Sequence, residues 1–115
     1  PIAGFQSVQF KLADMLTQTI TARQMIYLAA SKVDNNDPQA ATYCAMAKRL
    51  ATDLSFEVAN EALQLHGGYG YLNEYPLERH VRDLRVHQIL EGTNEIMRVI
   101  VSRQMLQDDA LSSLR

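Results

Sequence analysis

Two long stretches of helical periodicity, separated by one short break, constrain this chain more than any other feature. Val8, Leu12, Met15, Thr19, Ala22, Ile26, Ala29 and Val33 recur at alternating spacings of four and three, a sustained seam along one helix over about residues 4–32. Asp34-Asn35-Asn36-Asp37-Pro38 interrupts it with turn-forming side chains and a proline suited to a first helical turn. Tyr43, Ala47, Leu50, Leu54, Val58, Ala62 and Leu65 then mark a second helix ending at His66, where Gly67-Gly68-Tyr69-Gly70 stops it. Two such helices joined by a short turn pack antiparallel. Tyr75-Pro76 announces a short helix over about residues 77–86. After Glu91-Gly92, a last helix is expected to carry Ile96, Val99, Ile100, Arg103, Leu106 and Ala110. No alternating β-branched run is flanked by turns. The expectation is therefore an all-α, up-and-down four-helix bundle.

Composition narrows the function classes. A chain of 115 residues makes one domain with a modest core. Its net charge of −2 carries no basic excess, which argues against a nucleic-acid partner. No apolar run reaches transmembrane length, and no signal-peptide pattern opens the chain. The lone Cys44 excludes an intrachain disulfide and suits a reducing compartment. Within Tyr43-Cys44-Ala45-Met46-Ala47 it reads as a small buried residue rather than a nucleophile. Met15, Met25, Met46, Met97 and Met105 read as gap fillers in the core. Phe5, Phe10 and Tyr27 fall outside the first seam, which implies a second face covered by another helix or subunit. The bundle is accordingly expected to be part of a larger assembly, and a start at Pro1 rather than Met suits a fragment, a processed product or an excised domain.

Most of the chemistry is concentrated between Arg82 and Ile96. Glu91 follows the apolar pair Ile89-Leu90, so it is expected on a partly buried connection. Gly92 lets the backbone turn without a Cβ clash, and Thr93 is a good cap for the run that follows. A carboxylate among apolar groups suits general-base work near neutral pH, because desolvation disfavours its charged form. The same tripeptide also serves as a solvated helix start, and local chemistry leaves both readings open. In Gln64-Leu65-His66-Gly67-Gly68-Tyr69-Gly70 the glycines end a helix rather than open one. No Gly-Lys-Ser/Thr follows, so this is not a phosphate loop. A helix cap, or close passage of a ligand or another chain over the backbone, accounts for the pair. His66 suits exposed carbonyls at a helix end. His80 and His87 lie two helical turns apart with no third ligand, so no metal site is expected.

The order of these pieces carries more information than any one of them. Gln64-Leu65-His66-Gly67-Gly68-Tyr69-Gly70-Tyr71, then Tyr75-Pro76-Leu77-Glu78-Arg79-His80-Val81-Arg82-Asp83, then Gln88-Ile89-Leu90-Glu91-Gly92-Thr93-Asn94-Glu95-Ile96-Met97-Arg98 resembles the C-terminal domain of the acyl-CoA dehydrogenases. Residues 5–15 are similar to that domain's long first helix, so the resemblance covers nearly the whole chain. It leans to the short- and branched-chain members, the isobutyryl-CoA type among them.

The resemblance implies an FAD-dependent enzyme in which Glu91 removes the pro-R α-proton of an acyl-CoA thioester. The β-hydrogen would leave as hydride to the flavin, giving a trans-2-enoyl-CoA. Gly92 would lie beside the substrate thioester, with Thr93, Asn94 and Glu95 on the flavin-contacting segment. Gln6 and the run Gln64, Leu65, His66, Gly67 and Gly68 would contact FAD of a neighbouring subunit. Arg82-Asp83 would support the catalytic loop. The family resemblance also implies a homotetramer built as a dimer of dimers, and electron-transfer flavoprotein as acceptor. Its compartment would be the mitochondrial matrix in a eukaryote or the cytoplasm in a bacterium.

On this reading residues 1–115 are the C-terminal helical domain, without the N-terminal helical and middle β domains, and the piece alone is expected to be inactive. A glutamate at position 91 argues against isovaleryl-type and some long-chain members, which carry a small residue there. Two other classes stay open: a non-catalytic assembly module, and a related flavoenzyme such as an acyl-CoA oxidase or nitroalkane-type oxidase. The latter usually uses aspartate as base.

Overall fold

The reversal at Asp34–Pro38 is held by local polar contacts. In a computed structural model that describes residues 1–107, helix α1 (Gln6–Asp34) follows a 3-10 turn at Ile2–Gly4 and ends where Asn36 adopts a φ of 51°. Asp37 donates its N–H to the Lys32 carbonyl at 2.9 Å. Its carboxylate accepts the Gln39 N–H and the Lys32 ammonium, each at 2.8 Å, and that ammonium lies 4.8 Å from the centre of the Tyr43 ring. Helix α2 (Ala40–His66) then runs back along α1. Gly67, at φ 58°, ends it in a conformation that costs glycine nothing, and a 3-10 turn covers Gly67–Tyr71. Helix α3 (Leu77–His87) starts behind Pro76, as the sequence signals. Helix α4 (Asn94–Gln107) starts behind Thr93, whose hydroxyl accepts the Ile96 N–H at 3.3 Å, a cap of the expected kind.

The expected all-α, four-helix architecture is present, and no strand forms among the described residues. Within the single chain the helices fan around α2. Helices α1, α3 and α4 each pack on it and make no contact with one another among the described residues. The apolar stripe read on α2, Tyr43 through Leu65, is buried or half-buried throughout. The most buried apolar residues are all alanines: Ala22 and Ala29 on α1, and Ala45, Ala47 and Ala59 on α2. Side chains that small let helix axes approach within the usual span of about 8–10 Å. No large side chain among the described residues is fully buried. The radius of gyration, 17.3 Å, exceeds the roughly 13 Å of a compact domain of this length.

The seam expected on α1 is half right, and its departure is informative. The inward face reads Val8, Lys11, Met15, Gln18, Ala22, Met25, Ala29 and Lys32. Leu12, Ile26 and Val33 sit on the adjacent stripe and are 44–51% exposed, while Thr19 turns its hydroxyl to the Met15 carbonyl. The long polar residues prevail because their aliphatic stems pack on α2 while their heads find partners. Lys11 pairs with Glu61, Gln18 donates to Glu57 at 3.4 Å, and Lys32 pairs with Asp37. Helix α4 repeats the pattern. Asn94, Met97, Val101 and Gln104 face α2, whereas the expected Ile96, Val99, Ile100 and Leu106 face outward. Ala110 lies outside the described residues. Phe5, Phe10 and Tyr27 are exposed, as their position off the seam implied, and so is Cys44, which the sequence had suggested was buried. No helix among the described residues is long and apolar enough to cross a membrane.

The Lys32 hydrogen bond, followed by the Gln39 N–H, holds the Asp37 carboxyl below its ordinary value of 3.8. A lowered pKa stabilises the fold while the group is ionised, so the contribution is full above that value and is lost as pH falls beneath it. Asp37→Asn should lower the melting temperature at neutral pH. The gap from the parent should close as acidification passes below the ordinary carboxylate range, measured by circular dichroism melts.

Candidate active site

A polar stripe on α2 builds the site. Lys48, Thr52 and Asp53 stand half-buried on α2 and reach the start of α4. There Asn94 is only 3% exposed, so its amide needs partners inside the protein. Its carbonyl oxygen accepts from the Lys48 ammonium at 2.7 Å. Its NH2 donates to Thr52 Oγ1 at 2.8 Å and Asp53 Oδ1 at 2.7 Å. Asp53 also accepts from the Gln88 side chain at 2.9 Å, and its second oxygen faces Arg49 at 3.7 Å and Arg98 at 3.6 Å. The Asn94 N–H closes the loop onto the Gln88 carbonyl at 3.0 Å.

The connection between α3 and α4 is thus fastened at Gln88 and Asn94, with residues 89–93 spanning the gap. Glu91 sits at φ 54° and Gly92 at φ 90°. A left-handed φ is costly for glutamate and persists only where the surroundings impose it. The Gly92 carbonyl accepts a second bond from Lys48, at 2.8 Å. The result is an exposed carboxylate on a connection anchored at both ends.

Two site expectations need correction. Glu91 was expected on a partly buried connection, and within this chain it is exposed. Any apolar enclosure therefore comes from groups outside the chain. Arg82-Asp83 was expected to support the loop, but Arg82 forks onto Glu78 at 2.8 and 3.2 Å on the outer side of α3, and Asp83 is exposed. The support comes instead from Lys48, Thr52, Asp53 and Gln88, none of which the sequence singled out. Their available signal was a lysine, a threonine and an aspartate within two turns of one helix, beside the apolar stripe of Tyr43, Ala47, Leu50 and Leu54. Asn94, grouped with the cofactor residues, has its side chain fully engaged inside the chain. Of that group Thr93 caps the helix, and Glu95 is exposed.

The remaining candidates gather elsewhere. The antiparallel register that pairs Lys11 with Glu61 brings Gln6 to the end of α2 carrying Gln64–Gly68. Gln6, Gln64, His66, Gly67 and Gly68 are exposed there, while Leu65 is half-buried. The His66 Nδ1 lies 2.8 Å from the Ala62 carbonyl, the helix-end role its position suggested, and its ring stands 6.4 Å from that of Tyr75. The glycines differ in what they do. Gly70 is packed, since a Cβ would fall 2.8 Å from the Leu63 carbonyl oxygen, whereas Gly67 is needed for its φ. Gly68 has neither constraint, and a Cβ there would meet nothing within 4 Å. Its bare backbone serves nothing inside the chain, which fits a group approaching from outside. At 1.5 Å per residue along α2, this cluster stands roughly 25 Å from the Lys48–Asp53 stripe. Among the described residues no group of three or more His, Cys, Asp or Glu side chains could hold a metal ion.

Comparison with known proteins gives a consistent result. The family profile described as "Acyl-CoA dehydrogenase, C-terminal domain" matches residues 1–106. The mitochondrial isobutyryl-CoA dehydrogenase of Dictyostelium discoideum is 54% identical over 95% of this chain, which covers 26% of that protein. The butyryl-CoA dehydrogenase of Megasphaera elsdenii superposes with a TM-score of 0.88 at 45% identity, over 92% of this chain and 27% of that one. PigA, solved as an FAD complex, superposes at 0.86 with 32% identity over 90% of this chain and 27% of its own. The chain spans about a quarter of the length of these relatives.

Gly92 is constrained chiefly by its backbone conformation. An added Cβ would meet only the flexible end of Met97, at 2.7 Å, so the φ of 90° dominates the cost. Gly92→Ala should destabilise the protein by about 1–2 kcal/mol. A fall in denaturant midpoint at constant slope would show it.

Proposed function

The chain belongs to the acyl-CoA dehydrogenase family, and on that premise we propose that residues 1–115 are the C-terminal helical domain of an enzyme in which Glu91 is the catalytic base. One observation carries this reading: the family's glutamate position holds an exposed carboxylate on a connection anchored at both ends and forced into a left-handed φ. Glu91 takes the α-proton of an acyl-CoA thioester onto its carboxylate. The C–H electron pair forms the new double bond to the β-carbon, and the product is a trans-2-enoyl-CoA. When bound, FAD supplies the oxidant, accepting the β-hydrogen as hydride.

Short or branched acyl groups are the substrate class, in line with 54% identity to an isobutyryl-CoA dehydrogenase. Glutamate rather than aspartate at position 91 favours this over a nitroalkane-type oxidase. The N-terminal helical and middle β domains, which lie outside this chain, complete the pocket and enclose Glu91. Electrons pass on to an electron-transfer flavoprotein. The protein works in the mitochondrial matrix if its source is a eukaryote, and in the cytoplasm if it is a bacterium.

Two clusters roughly 25 Å apart on one rigid helix suit contacts to two different flavins. Thr93 and Glu95 face the chain's own FAD, where the start of α4 offers its dipole to anionic groups. Gln6 with Gln64, His66, Gly67 and Gly68 meets the FAD of a neighbouring copy. The apolar residues left outside on α1 and α4 are then covered in a homotetramer, a dimer of dimers, and by the rest of the full-length chain.

In the full-length protein Glu91→Gln should keep FAD and acyl-CoA binding but slow flavin reduction by at least about 10²–10⁴-fold, the usual contribution of a positioned base. Near-parent turnover would remove Glu91 from the role. Gly68→Ala should leave the melting temperature unchanged, because nothing inside the chain meets the new methyl, yet weaken FAD retention in the tetramer. Unaltered flavin content after dialysis would count against contact at Gly68.

A further inference from the structure

We propose that Lys48 is a positioning residue for proton abstraction, setting the direction of the Glu91 carboxylate through the Gly92 peptide. The proposal rests on the assignment of Glu91 as base. The half-buried Lys48 ammonium bonds the Gly92 carbonyl at 2.8 Å and Asn94 Oδ1 at 2.7 Å. The Gly92 carbonyl belongs to the peptide joining Gly92 to Thr93, one residue beyond Glu91, and both Glu91 and Gly92 have positive φ. Two successive left-handed residues turn that carbonyl inward, toward α2, and Lys48 is the only donor to it among the described residues. Without an ammonium there, the carbonyl loses its only partner and Asn94 Oδ1 loses its donor, so the inward orientation is no longer favoured. Once that carbonyl is released, the Gly92 backbone torsions are free to change, and because Gly92 joins Glu91 to the fixed start of α4, such a change re-aims the Glu91 side chain.

Gln88 and Asn94 hold the ends of the connection through Asp53, and the Ile89 and Leu90 N–H groups donate to the Val86 carbonyl at 2.9 and 3.0 Å, which leaves the Gly92 carbonyl to Lys48. The chemistry needs both features of this side chain. A long stem reaches from a central helix to the start of α4, and a compact cationic head donates to two oxygens at once. Charge-assisted bonds of this kind are stronger and shorter than neutral ones, so the loop geometry is set before substrate arrives.

The test uses the full-length holoenzyme with Lys48→Met, which keeps the stem and removes the donor, and Lys48→Arg, which keeps a donor. Lys48→Met should lower kcat for flavin reduction by about 10–100-fold, the scale of a misplacement near 1 Å, while KM and FAD content stay near the parent values. Lys48→Arg should recover most of that loss. Amide hydrogen exchange over residues 89–94 should quicken in Lys48→Met and stay slow in Lys48→Arg. Parent kcat in Lys48→Met beside an inactive Glu91→Gln would overturn the role of Lys48 and leave that of Glu91 standing. Unchanged exchange in Lys48→Met, or equal losses of kcat, FAD content and thermal stability without rescue by arginine, would also overturn it. If Glu91→Gln itself kept the parent rate, the base assignment and this proposal would fall together.

Discussion

The buried side-chain amide of Asn94 is the interaction on which the rest of the site depends. A polar group shut away from water without a partner costs about 1–3 kcal/mol, so helix α4 can start only where that amide is satisfied. Lys48, Thr52 and Asp53 supply its three shortest bonds, with the Arg49 carbonyl a longer fourth at 3.5 Å, and all four residues lie close together on α2. Polar complementarity, rather than apolar fit, therefore sets the register between α2 and α4. Once Gln88 is also fastened to Asp53, the residues between must cover a fixed distance. The left-handed backbone at Glu91 and Gly92 follows from that closure.

What could be read from residues alone divides along a physical line. Helix limits were legible because their signals are local: the turn residues of Asp34–Pro38, the glycine after His66, the proline before Leu77 and the threonine before Asn94 each act on their immediate neighbours. Glu91 and Gly92 were legible for the same reason, as a carboxylate placed at a chain break. The faces of α1 and α4 were not. A heptad-like pattern picks out the most apolar stripe, yet this chain turns a mixed stripe inward, where Lys11, Gln18 and Lys32 reach carboxylates on or just before α2. The loop support was hidden too, because Lys48 and Asp53 lie far along the chain from Glu91 and a helix surface normally carries such residues for solubility. The Arg82-Asp83 pair, though adjacent to the loop in sequence, faces away from it.

Reserving the better apolar stripe for the outside has an energetic logic. At about 25 cal/mol per Å² of apolar surface removed from water, burying Leu12, Leu16, Ile20 and Tyr27 would add substantially to stability. In this chain they stay 44–62% exposed. The interior offers mostly alanines, which pack closely but contribute little area each. Much of the stabilisation available to this sequence is therefore released only on covering α1 and α4 from outside. Folding of the domain and its assembly then draw on separate sets of residues.

Helix α2 touches every other helix and carries the Lys48–Asp53 stripe near its middle and the Gln64–Gly68 segment at its end. On the proposed reading those two regions belong to different active sites, so α2 fixes not only their separation but also their rotational phase. Each residue added to a helix advances the axis by about 1.5 Å and turns the surface by about 100°. One residue inserted between Asp53 and Gln64 would aim the distal cluster away from the flavin it meets while leaving the Glu91 loop intact. The length of that stretch is consequently a stricter requirement than the identity of most side chains along it.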